Sequence, residues 1–156
     1  MNDFVVSLFG HREIDDLFRL EKLLLPVIKE LIRTKPYVSF LIGRNGEFDE
    51  YAASVIKRLQ KAKGKENNDM TLVLPYSVAN IEYYGSYYDD IIIPEGLCGV
   101  HSKAAITQRN RWMVERCDLV ILYVDRKRGG AYSAMKYAKR LKKKIINLCD
   151  ERINNL

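Results

Sequence analysis

Three glycine turns in this chain carry residue types suited to holding a phosphate. Gly10-His11-Arg12 follows one short apolar run, and Gly43-Arg44-Asn45-Gly46-Glu47-Phe48-Asp49 follows a second. Asp125-Arg126-Lys127-Arg128-Gly129-Gly130-Ala131-Tyr132-Ser133 follows a third. Each turn leads into a stretch of helical periodicity. Glycine lets the backbone approach a ligand closely, and the unpaired N–H groups of a helix N-terminus, reinforced by the helix dipole, attract an anion. Gly129-Gly130, preceded by Arg126, Lys127 and Arg128, has the composition of a phosphate cradle. Each turn alone also reads as plain chain geometry; three on one edge favour a binding site. Neither common nucleotide fingerprint is present. Gly43-Arg44-Asn45-Gly46 lacks the Lys-Ser/Thr of a P-loop, and no G-x-G-x-x-G follows the first apolar run. An ordinary NTPase or dinucleotide dehydrogenase is therefore disfavoured.

Several side chains near these turns have two readings. His11 can contact phosphate or act as an acid or base near neutral pH, or serve as a hydrogen-bonded turn residue. Asp49 can bind a ribose hydroxyl or simply favour the first turn of its helix. Arg109 and Asn110 sit in Thr107-Gln108-Arg109-Asn110-Arg111-Trp112, either toward a ligand or on a solvated helix face. Tyr76, Tyr83, Tyr84, Tyr87 and Tyr88 are half of the ten tyrosines. Such rings stack on bases and also enrich protein interfaces, the reading favoured here.

These residues need a scaffold, and apolar patterning supplies one. Apolar runs at residues 4–9, 37–42, 70–75, 90–93, 119–124 and 145–148 predict six strands. Helical periodicity separates most of them: Ile14 to Leu31, with a kink or break expected at Pro26; Phe48 to Leu59; Ile106, Asn110, Met113 and Cys117; and Ala131 to Leu141. Strands that are apolar throughout are buried on both faces. Strands alternating with helices imply right-handed parallel crossovers. The expected fold is a single α/β domain over residues 1–156, a doubly wound Rossmann-like sheet of about six mainly parallel strands, with a Tyr-rich insert at about 76–89. Such sheets bind ligands beyond the carboxyl ends of their strands.

Composition narrows the partners. With 47% hydrophobic and 29% charged residues in 156, the chain has globular rather than disordered composition. No apolar run approaches the ~20 residues of a membrane span, and the N-terminus does not read as a signal peptide; a cytoplasmic protein is expected. Cys98, Cys117 and Cys149 are odd in number and widely spaced, and His11 and His101 are the two histidines. Neither a disulfide framework nor a metal site is expected, and no cofactor. The net charge of +6 permits an anionic partner without identifying it. The run Lys139-Arg140-Leu141-Lys142-Lys143-Lys144 complements a helix C-terminus or contacts nucleic acid.

The order of these motifs resembles the SLOG superfamily, which includes the Lonely Guy (LOG) phosphoribohydrolases, DNA-processing proteins, YpsA-like proteins and nucleotide-sensing domains of antiviral systems. The resemblance rests on Gly10-His11-Arg12, the Gly43 to Asp49 turn, Arg109-Asn110 with Met113, and Gly129-Gly130, and covers nearly the whole chain. It implies that the LOG catalytic arginine corresponds to Arg109, with Asn110 in place of the usual lysine. In the P-G-G-x-G-T-x-x-E motif, Arg128 replaces proline, Tyr132 the third glycine, Ser133 the threonine and Lys136 the glutamate. The phosphate-holding half is kept and the acidic half is lost.

The resulting expectation is a binder of a nucleotide or nucleotide-derived ligand, of the ADP-ribose or cyclic-nucleotide class, acting by sensing or sequestration and assembled as a homo-oligomer. The expected ligand-binding residues are Gly10, His11, Arg12, Gly43, Arg44, Asn45, Gly46, Asp49, Arg109, Asn110, Gly129, Gly130, Tyr132 and Ser133. No catalytic residue is assigned. The alternatives are a LOG-like hydrolase using His11, Asp49 or Glu115 as acid or base, and a single-strand nucleic-acid binder.

Overall fold

The computed structural model describes residues 3–150, so both ends of the expected 1–156 domain lie outside the described residues. Six strands, β1 (Phe4–Gly10), β2 (Val38–Ile42), β3 (Asn68–Val73), β4 (Asp90–Ile92), β5 (Leu119–Tyr123) and β6 (Lys144–Asn147), form one sheet in the order β4-β3-β2-β1-β5-β6. Every pairing is parallel. Five helices connect them: α1 (Leu17–Thr34), α2 (Glu47–Lys63), α3 (Ile81–Tyr87), α4 (Ser102–Arg116) and α5 (Gly130–Arg140). The chain is thus an α/β Rossmann-like fold with an all-parallel sheet.

The four inner strands bury both faces, as their apolar runs require, whereas the edge strands β4 and β6 are only partly covered. Val6, Leu8, Leu119, Ile121 and Tyr123 point to one core with Leu24 and Ile28 of α1 and Val55 and Ile56 of α2. Phe9, Val120 and Leu122 point to a second core with Met113 of α4 and Ala131, Ala134 and Ala138 of α5. This alternation is the period of two that a strand imposes. The alanine ridge of α5 brings that helix close to the sheet.

The helix ends are physically marked. Asp16 caps α1 by accepting from the Arg19 N–H at 3.0 Å. The first turn of α2 holds Glu47, Asp49 and Glu50 and its last turn Lys61 and Lys63, matching the macrodipole. Two expectations need adjustment. α1 runs unbroken through Pro26; the proline is solvent-exposed, where water can serve the carbonyl it leaves without a donor. The Tyr-rich insert contains a short helix, α3, whose periodicity is masked because tyrosine occurs on its exposed and half-buried sides alike.

Candidate functional site

The connections from β1 and β5, adjacent in the sheet, depart to opposite faces, because α1 belongs to one core and α5 to the other. The turns splay and leave a crevice at the carboxyl ends. A cleft of about 470 Å³ opens there. The β1 turn contributes Gly10, His11 and Arg12 to it, the β2 turn Gly43, Asn45 and Asp49, α4 Arg109 and Asn110, and the α5 entry Gly129 and Gly130. Ten of the fourteen expected ligand residues therefore meet in one cavity, drawn from four separate segments.

Arg109 forms its floor. It is 2% exposed. Its Nη1 donates to the Val73 carbonyl at 2.7 Å and its Nε to Asn110 Oδ1 at 2.8 Å. Nη2 donates to no described residue, so one edge of the guanidinium is unspent in a residue that lines the cleft. Burial lowers its pKa, opposed by the Asp49 charge; arginine nonetheless stays protonated. Asp49 accepts from the Asn45 N–H at 2.9 Å. Burial, only partly offset by that bond and by Arg109, pushes its carboxyl up to about 6. Gly43 sits between the two: a Cβ there would lie 2.7 Å from Arg109 Nη1 and 3.1 Å from Asp49 Oδ2. The glycine is needed for space.

His11 ties the two turns at the switch point. It is buried, and its Nε2 accepts from the Asp125 N–H at 3.1 Å. Burial, then Arg126, lower its pKa against the raising effect of Asp125. An unprotonated Nε2 fits that backbone bond, so the 3.3 Å approach of Asp125 Oδ1 is not a standing ion pair. The bonded-turn role of His11 is thus the better supported one. Arg126 is held by Asp125 Oδ1 at 2.9 Å and by the Glu13 carbonyl at 3.1 Å.

Gly129 has φ of +90° and no side chain caps α5. Its first-turn N–H groups open at the cleft, where Gly129, Gly130 and Ala131 form the wall beside Arg126 and Arg128. A Cβ on Gly130 would meet only Asn110 Nδ2, at 3.7 Å. This arrangement can hold an anion.

Four expected ligands lie off the cleft walls. Arg44 turns away to lie 4.8 Å over the Tyr84 ring. Gly46 packs against the Arg12 backbone, where any side chain would collide; the neighbouring Glu47 N–H donates to the Arg12 carbonyl at 2.8 Å. Tyr132 lies under the Lys136 ammonium at 4.9 Å, and Ser133 is exposed with its N–H in the helix ladder. These are the third and fourth residues of α5, whose side chains project sideways from the helix, away from the space before its first turn. Lys136, at the position of the LOG glutamate, is likewise off the cleft. Glu115, suggested as an alternative acid, is corrected by its placement: it is exposed, accepts from the Tyr137 hydroxyl at 2.6 Å and does not line the cleft. Conversely, Glu13 and Ile106 line it without having been singled out as ligands. Ile106 was visible as sharing a helical face with Asn110 and Met113; Glu13 carried no signal.

Among the described residues no group of three or more metal-ligating side chains gathers, and no helix is long and apolar enough to cross a membrane. Neither a family model nor a curated protein matches the sequence. Solved structures do match the fold. DNA processing protein A from Streptococcus pneumoniae superposes with a TM-score of 0.65 at 16% identity, over 92% of this chain and 49% of that one. DNA processing protein A from Helicobacter pylori, described by its single-stranded DNA binding mode, gives 0.61 at 13% identity, over 91% and 63%. The chain spans about half to two thirds of the length of these proteins. At such identity the likeness is one of fold.

Proposed function

We propose that this chain is a SLOG-type domain that binds single-stranded nucleic acid, seating one phosphate-bearing nucleotide unit in the switch-point cleft. The observation that carries this reading is the convergence of unspent donors there. The uncapped α5 N-terminus, the open edge of Arg109 and the rim arginines Arg12 and Arg128 all line one cavity, beside Arg126, whose Nε and Nη2 are held by Asp125 and Glu13. Fixed donors of this kind suit a phosphodiester, because charge-assisted hydrogen bonds are about twice as strong as neutral ones. The likeness in fold to a single-stranded-DNA-binding protein and the +6 charge favour a polymer over a free ligand. A free nucleotide, the expectation from the sequence, is the second reading. It is favoured by the size of the cleft, which falls within the ~300–1,000 Å³ of small-molecule sites.

Fluorescence anisotropy with a labelled oligothymidylate, titrated against salt, separates the two. Binding that falls steeply with salt and is lost in Arg109→Ala is the expected result. Saturable thermal stabilisation by a mononucleotide, with no oligonucleotide binding at low salt, would replace the first reading by the second.

A further inference from the structure

The positive charge of the chain is segregated. Residues 102–144 hold thirteen lysines and arginines against three carboxylates, a net +10; the other thirteen cations face seventeen carboxylates, a net −4. The cationic segment is α4, β5 and α5, whose helices pack on each other over one face of the sheet. Arg109, Arg126 and Arg128 of this segment line the cleft, and Lys143 caps α4 by donating to the Glu115 and Cys117 carbonyls at 3.1 and 3.0 Å. Most of the remainder is exposed on the outside of α4 and α5.

That outer face is built in a repeated way. Arg116 lies 4.1 Å over the Trp112 ring, Arg111 and Arg140 lie 5.0 and 4.9 Å over Tyr137, and Lys136 lies 4.9 Å over Tyr132. Among the described residues none of these cations has a carboxylate within ion-pair distance; the ion pairs lie elsewhere. Glu115, the sole carboxylate on the two helices, is engaged by Tyr137. Rings stacked against the guanidinium groups restrict the arginine rotamers while leaving N–H donors at the edge for another acceptor. The face is also continuous with the cleft, because α5 begins there at Gly130 and runs away from it for 11 residues, about 16 Å at ~1.5 Å per residue.

We infer that the outer face of α4 and α5 is a track for the sugar–phosphate backbone of a single strand leaving the cleft, with Arg111, Arg116, Lys136 and Arg140 as its phosphate contacts. The inference rests on the single-strand reading of the cleft and assigns the rest of the strand a path. A polyanion matches a cationic face whose own carboxylates do not neutralise it, and it matches the direction in which α5 departs.

The test compares oligothymidylates of about 4 and about 16 nucleotides, the range of site sizes among single-strand binders. The triple variant Arg111→Ala/Arg116→Ala/Arg140→Ala should bind the short strand as the parent does. With the long strand, its plot of log affinity against log salt should be shallower by about 2, from ~0.7 per lost phosphate contact. The single variant Lys136→Gln, at an exposed position whose ring contact is with Tyr132 outside the core, should also flatten the long-strand plot, by about 0.7, which guards against misfolding of the triple variant. Equal slopes for long and short strands, or a long-strand slope unmoved in both variants, would overturn the track while leaving the cleft reading intact. Failure of both strands to bind would overturn both. Phosphatidylserine vesicles that lose binding in the variants, with long-strand binding retained, would give the face to a membrane and overturn the track.

Discussion

At the scale of single residues, the cleft depends on where charge is buried. Burial holds the Asp49 carboxyl at about 6 in the folded protein, above its ordinary value of 3.8. The protonated carboxyl therefore favours the fold at low pH. That contribution, about 3 kcal/mol at ~1.4 kcal/mol per unit, is lost as pH rises through about 6. Urea midpoints should accordingly fall between about pH 4 and pH 7, and Asp49→Asn should remove that slope. Neutralising Asp49 also removes a negative charge beside Arg109, so oligonucleotide affinity should rise as pH falls through about 6 in the parent and not in the variant. Gly130→Val should leave a folded protein, since its Cβ meets one atom at ordinary contact distance. It should bind oligonucleotide at least about tenfold more weakly, one charge-assisted hydrogen bond being worth ~1.5–3 kcal/mol. Gly10→Ala should instead be destabilised by about 1–3 kcal/mol in chemical unfolding, because its Cβ would invade the buried Phe48 ring. Adjacent glycine turns thus have different physical tasks. The cleft also lacks a carboxylate at the Lys136 position, and Glu115 is outside it. Chromatography after prolonged incubation with AMP, GMP, CMP or UMP should show no free base; multiple turnovers abolished by Arg109→Ala would contradict this, with Asp49 the acid to test next.

At the scale of elements, the sequence signals were strong where patterning and burial coincide. The six strands, four of the helices and the edge bearing the turns were legible, because fully apolar runs between helical stretches admit few arrangements. Pro26 was misleading in this respect. It weakens a helix locally by about 3 kcal/mol relative to alanine, yet α1 continues because Leu20, Leu24 and Ile28 are fully buried on either side of it. Restoring the missing N–H with Pro26→Ala at this exposed site should stabilise the protein by about 1–3 kcal/mol, measured by urea unfolding. A loss of stability would mean that the proline shapes the packing of α1. Helix α3 was hidden because it buries no residue fully, so it lacks the apolar stripe by which helices are read from sequence.

At the scale of the whole molecule, two surfaces stand out. The α4–α5 side is cationic. In the segments flanking β4, a three-residue edge strand, Tyr76, Ile81, Tyr83 and Ile93 are exposed. We expect self-association through that edge, since an open strand and exposed apolar groups favour pairing with a second copy. Light scattering at tens of micromolar, well above typical affinities, should give more than a monomer mass, and Tyr83→Asp should reduce it. The sequence by itself determined the α/β alternation, the doubly wound sheet and the gathering of the Gly10, Gly43 and Gly129-Gly130 turns at one edge, because these follow from periodicity and from the side of each strand on which a turn falls; the residues around Arg109 left it between that edge and a solvated helix face. Only the tertiary structure decided which side chains face the cleft. Arg44 chose Tyr84, Tyr132 chose Lys136, and His11 bonded the Asp125 backbone. Those choices depend on packing between segments more than 30 residues apart in the chain, or on the direction a helix gives its first-turn side chains, and neither is written in local spacing.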